Sequence, residues 1–191
     1  MKLGLDFYLQ EDVVSLSKQL LGQILCTRFD GQLTSGIITE TEAYAGVTDK
    51  ASHAYGNRLT ARTAPMYEQG GTAYVYLCYG IHSLFNVVTN VKGVPHAILI
   101  RAIQPLNGIP EMLKRRNKQK EDARLASGPG TAALALGIHR KHSGTSLLES
   151  QIWIEKSAEV VLPENIIAGP RVGVDYAGDH ALLPYRFKLK R

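Results

Sequence analysis

The dipeptide Asp30-Gly31 is the feature that most constrains this chain. Asp-Gly between two β-prone runs signals a two-residue hairpin, because the turn that suits twisted strands needs positive φ at both central residues. The run before it, QILCTRF (23–29), reads as a strand, and SGIITETEAYAG (35–46) reads as its return. The pattern recurs: TAYVYLC (72–78) reads as a strand, Tyr79-Gly80 as a turn, and SLFNVVTN (83–90) as the next strand. VPHAILIRAI (94–103) predicts a buried strand, and QIWIEK and YRFKLK two late ones. Helices are predicted over 10–21, where Val13, Leu16 and Leu20 recur at helical spacing before Gly22, from Pro110 onward, and over TAALALG after Gly128-Pro129-Gly130. Strands joined by hairpins, with helices set between them, imply an α+β fold around a mostly antiparallel sheet. With no repeat and no linker, residues 1–191 are expected to form a single domain.

Composition excludes some classes. No apolar run approaches the ~20 residues that a membrane helix needs, and Met1 to Leu9 lack the pattern of a signal peptide, so a cytoplasmic protein is expected. The two cysteines, Cys26 and Cys78, sit in apolar strand-like runs and fit buried thiols better than a disulfide. The net charge is +5, which is compatible with nucleic acid without showing it. The distribution says more: Lys114, Arg115, Arg116, Lys118, Lys120 and Arg124 form one cluster, and Arg186, Lys188, Lys190 and Arg191 another. There is no GxGxxG after a strand, no GxxxxGK[ST], no HExxH, no GxSxG and no cysteine pair at zinc spacing. His139 and His142 read as an exposed basic turn. Chemistry on carboxylates and water is expected, with no cofactor and no metal.

Three segments could carry it. Strand alternation puts Glu40, Glu42 and Tyr44 on one face, either as a salt-bridged exposed face or as a cleft wall where a carboxylate activates water. In AYVYLCYG (73–80), Tyr74 and Tyr76 share a face. Tyr79 falls at a hairpin tip, as a wedge for a base stack or folded back on its own hairpin. Asn86 interrupts an apolar strand, as a cross-strand link or as a reader of a ligand's polar edge. Arg101 does the same within ILIRAIQP and needs a partner: Glu42, Glu40 or a phosphate.

The ordered set ITETEAYAG, His53, GGTAYVYLCYGIHSLFNVV, ILIRAIQP, ASGPG and GPRVGV resembles the alkyladenine (3-methyladenine) DNA glycosylase family from about residue 6 to residue 188. The resemblance implies a curved sheet with a protruding hairpin and flanking helices. It implies a monofunctional enzyme that flips alkylated or deaminated purines out of double-stranded DNA and hydrolyses their glycosidic bond, acting as a monomer. It gives Glu42 the role of general base, with Arg101 and the carbonyl of Val172 holding the water. Tyr44, His53 and Tyr76 would line the base pocket, and Asn86 would discriminate against guanine. Tyr79 would enter the helix, with Ile81, His82, Arg58 and Arg62 also on DNA. Two rivals remain: a non-catalytic nucleic-acid-binding module, and a metal-dependent nuclease using Glu40, Glu42 and His53.

Overall fold

In the computed structural model, which describes residues 1–190, Asp30 and Gly31 both take positive φ, 51° and 76°. They join β1 (Ile24–Phe29) to β2 (Gln32–Tyr44) as an antiparallel hairpin with Phe29 opposite Gln32. Arg191, last of the terminal cations, lies outside the described residues. The second hairpin joins β3 (Ala73–Cys78) to β4 (His82–Thr89), and β4 pairs in turn with β5 (His96–Asn107). With β6 (Ile152–Glu155), β7 (Ile166–Gly169) and β8 (Arg186–Leu189) the chain builds one antiparallel sheet in the order β3-β4-β5-β2-β1-β6. The long β2 pairs with β5 on one edge; on the other it pairs first with β1 and then with β8, so the sheet branches and curls there. The α+β expectation holds. β7, only four residues long, has no sequence signal and was not anticipated.

Among the described residues four short α-helices accompany the sheet: α1 (Leu5–Tyr8), α2 (Val13–Gln19), α3 (Ile109–Arg115) and α4 (Pro129–Ala135). The helix expected over 10–21 is shorter because Asp12 caps it, accepting the backbone N–H of Val14 and Ser15. The helices α2 and α4 pack on one face of the sheet. The pairing register shows which residues they cover. Ala43, Ile98, Val87 and Ala73 lie in one row across β2, β5, β4 and β3; Ile100 lies opposite Thr41, and Phe85 opposite Val75. All are buried in the core. Alternation then assigns the opposite face its own row, Tyr74, Asn86, Leu99, Glu42 and Arg186, contributed by β3, β4, β5, β2 and β8.

Two irregularities adjust that row. Between Ile38 and Thr41 the ladder skips Thr39 on β2 and Arg101 on β5, leaving both unpaired. Bulges of this kind re-aim side chains beside functional sites.

Three members of the basic run at 114–124 are tied up within the fold. Arg115 pairs with Glu111 and also donates to Thr34 and the Ala135 carbonyl; Arg116 donates to the Leu125 carbonyl; Lys118 pairs with Asp122 at 2.7 Å. Such ties explain much of the cluster as local architecture. Both cysteines are free; Cys26 is buried, but Cys78 is only half-buried and opens onto the cavity described next.

Candidate active site

The uncovered face forms the floor of a cavity of about 480 Å³, walled by β3, the β3–β4 hairpin, the loops at 51–66 and the loop at 172–176. Glu42 stands on its wall, itself 0% exposed. Its Oε1 accepts the backbone N–H of Val172 at 2.8 Å, and its Oε2 accepts the Tyr44 hydroxyl at 2.9 Å. The Nη1 of Arg101 lies 3.3 Å from Oε1, while its Nε donates to Glu40 at 2.8 Å. The alternation read from the sequence therefore brings Glu40, Glu42, Tyr44 and Arg101 together. The loop bearing Val172 meets Glu42 through the Val172 N–H. Burial, reinforced by the Glu42 charge, raises the Tyr44 hydroxyl well above its ordinary range, so it stays a donor. Burial opposes the Arg101 charge, but Glu42 and Glu40 more than restore it.

Aromatic rings line the opposite wall. His53 meets Tyr76 edge-on at 4.6 Å between ring centres, and Tyr74 tilts against Tyr76 at 5.6 Å. Burial, with the charges of Arg62 and Arg58, pushes His53 down to about 4, so the ring is neutral at neutral pH. Its Nε2 faces Arg62 at 3.3 Å. Arginine only donates, so Nε2 accepts and the Nδ1–H donates to the Tyr74 hydroxyl at 2.9 Å. Arg62 also lies over the Tyr76 ring. An adjoining polar groove carries Lys50, Arg58 and Arg62.

Asn86 is buried on the cavity floor, where its Nδ2 donates to the carbonyls of Tyr74 and Leu84. The amide is thus pinned by the neighbouring strand at the same time as it lines the cavity, so the cross-strand link is realised.

At the rim, Tyr79 is 92% exposed. It takes φ of 51° beside Gly80 at 74°, closed by the Ile81 N–H to the Cys78 carbonyl. A left-handed tyrosine costs about 1–2 kcal/mol, and here the ring recovers little of that by burial. Ile81 is 72% exposed and His82 is exposed beside it. The folded-back alternative for Tyr79 is not what the hairpin adopts.

One pair at this site was not foreseen. The Arg171 side chain is fully buried, forked onto both oxygens of Asp49, and donates to the carbonyls of Ala43 and His180. Its guanidinium lies 4.8 Å from the Tyr44 ring centre and 5.2 Å from that of Tyr185. Asp49 in turn accepts the N–H of Ala45 and Ala51. Burial works against the Asp49 charge, but Arg171 and the two amides outweigh it and hold the carboxyl below its usual range. One ion pair thereby ties β2, the loop before His53 and the loop bearing Val172. GPRVGV and Asp49 are visible in the sequence, but nothing local links them.

The three residues of the nuclease reading do not converge. Glu40 and Glu42 share Arg101, and His53 engages Tyr74 and Arg62. Among the described residues no helix is long and apolar enough to cross a membrane.

The site combines a buried carboxylate, an aromatic-lined cavity and an exposed tyrosine at its rim. The sequence model for methylpurine-DNA glycosylase matches residues 6–191, and the chain belongs to that family. It is 48% identical over 185 residues to a relative from Chlamydia felis, covering 96% of this chain and 94% of that one. It is 44% identical over 193 residues to one from Bacillus cereus (97% and 94%), and 39% identical over 198 residues to one from Clostridium perfringens (100% and 96%). All three relatives are assigned as 3-methyladenine DNA glycosylases. Membership makes this chain a DNA glycosylase that acts in DNA repair.

Proposed function

We propose that this glycosylase acts as a monomer on duplex DNA, extrudes alkylated or deaminated purines into the cavity, and hydrolyses their glycosidic bond to leave an abasic site. The observation that carries the reading is Glu42, fully buried on the cavity wall yet holding two aligned hydrogen bonds on its carboxylate. A carboxylate has about four acceptor positions, so capacity remains for a water. A module that only bound DNA would gain nothing from a carboxylate buried toward a polyanion.

In this reading Glu42 takes the proton of the water that attacks C1′. Tyr44, Tyr76 and neutral His53 stack the base, and Tyr79 fills the gap that it leaves, offsetting an extrusion cost of a few kcal/mol. A neutral His53 does not repel a cationic alkylated purine, and such a base leaves without an acid. Neutral hypoxanthine would be protonated through water. No lysine lines the cavity among the described residues, which supports simple hydrolysis over the Schiff-base route of a lyase. Ile81, His82, Arg58 and Arg62 would contact DNA around the wedge.

The test uses duplex oligonucleotides carrying one 3-methyladenine, hypoxanthine or ethenoadenine, treated with the enzyme in EDTA. Strand breaks are expected only after alkali. Breaks that precede alkali, or activity that needs a divalent ion, would overturn the reading.

Asn86 provides the check on specificity. Guanine differs from hypoxanthine only by its 2-amino group, and a pinned amide on the floor cannot swing aside for it. Asn86→Ser is expected to raise excision of 7-methylguanine relative to hypoxanthine by about tenfold. If a folded variant keeps the wild-type ratio, Asn86 serves the sheet alone.

A further inference from the structure

We propose that Glu40 is a positioning residue for this reaction: it draws Arg101 away from Glu42 and so leaves the general base free to take the water's proton. The inference rests on the reading of Glu42 as that base.

Arg101 stands out of the β-ladder, flanked by two carboxylates. Its one aligned hydrogen bond goes from Nε to Glu40 Oε1 at 2.8 Å; the 3.3 Å approach of Nη1 to Glu42 Oε1 is an ion pair without hydrogen-bond alignment. Val172 and Tyr44 already occupy one position on each Glu42 oxygen. A guanidinium fork matches a carboxylate two-for-two. If Arg101 turned its fork onto Glu42, it would take the capacity left for water. Glu40 holds the other end of that fork and prevents the turn.

Charge points the same way. Glu42 faces Arg101 from β5, Arg171 from the loop bearing Val172, Tyr44 from its own strand and Tyr76 from β3, with Arg186 opposite it on β8. The Nη1 of Arg186 lies 3.7 Å from Glu40 Oε1. Glu40 is thus the second carboxylate in a ring of arginines. Its side chain is only 13% exposed, which sets it apart from an ordinary surface ion pair.

Glu40→Gln weakens the hold without emptying the position, because the amide oxygen can still accept the Arg101 Nε–H but the charge that draws the guanidinium is lost. Duplex binding and melting temperature are expected to stay at wild-type values. Single-turnover release of a cationic N-alkylated purine is expected to fall about tenfold, since proton transfer follows base strength. The acid limb of its pH–rate profile should move lower, because the guanidinium shared by the two carboxylates then faces one of them alone. Glu40→Asp, which keeps the charge, should recover most of the rate. Wild-type rates and an unmoved limb in Glu40→Gln would overturn the proposal. So would equal losses in Glu40→Gln and Glu40→Asp with an unmoved limb, which would mark Glu40 as structural. A wild-type enzyme that released no base from the same duplex would instead sink the proposed function itself.

Discussion

Glu42→Gln is expected to bind lesion-containing duplex like the wild type and to release base about 10²–10⁴-fold more slowly. The size follows from what the substitution removes. Glutamine matches glutamate in shape, and its amide oxygen can still accept the Val172 N–H while the amide group meets the Tyr44 hydroxyl, which can accept. The walls of the cavity stay in place; the group that takes a proton is gone. Base release in a single turnover separates this from a defect in binding, and a gel-shift titration on the same duplex provides the comparison. Near-normal release by Glu42→Gln together with loss of release by Glu40→Gln would exchange the roles of the two carboxylates, which lie on one face and share Arg101.

Arg171→Met carries the largest expected effect on stability. The Arg171 side chain is 0% exposed, and its removal would leave Asp49 charged and buried with two backbone amides as hydrogen-bond donors and a His180 ring nitrogen at 3.6 Å. Breaking a buried pair by deleting one member costs about 3–5 kcal/mol. For a chain of this length each kcal/mol lowers Tm by about 2–4 °C, so a fall of roughly 6–20 °C is expected. The sign with pH is also determined. The Asp49 carboxyl is lowered in the folded state, so its contribution is present above the carboxyl's ordinary range and is lost as pH falls through the folded value. The paired variant Arg171→Met/Asp49→Asn should recover part of the loss, because it removes the orphaned charge. A melt of Arg171→Met within about 2 °C of wild type would show that the pair holds nothing together.

Much of this protein was legible locally. Asp30-Gly31 determined a hairpin because the turn is settled by the φ preferences of two residues. Period-two alternation put Glu40, Glu42 and Tyr44 on one face because pleating needs no partner to define it. Asn86 and Arg101 stood out because a polar group inside an apolar strand must be answered by something. The family resemblance added roles that alternation could not supply, the choice of Glu42 over Glu40 as general base above all. What sequence could not supply lay in the pairing of distant segments. The unpaired Thr39 and Arg101 exist only in the register between β2 and β5, so the aim of Arg101 is a property of two strands. The Val172 N–H reaches Glu42 from 130 residues away, and Arg171 meets Asp49 across 122. Within the basic run around Lys114 to Arg124, the fold engages Arg115, Lys118 and Arg116 with Glu111, Asp122 and the Leu125 carbonyl, while Lys114 and Arg124 stay exposed. Turn chemistry and pleat are decided within a few residues, whereas the partner of a buried charge is decided by where the whole chain passes.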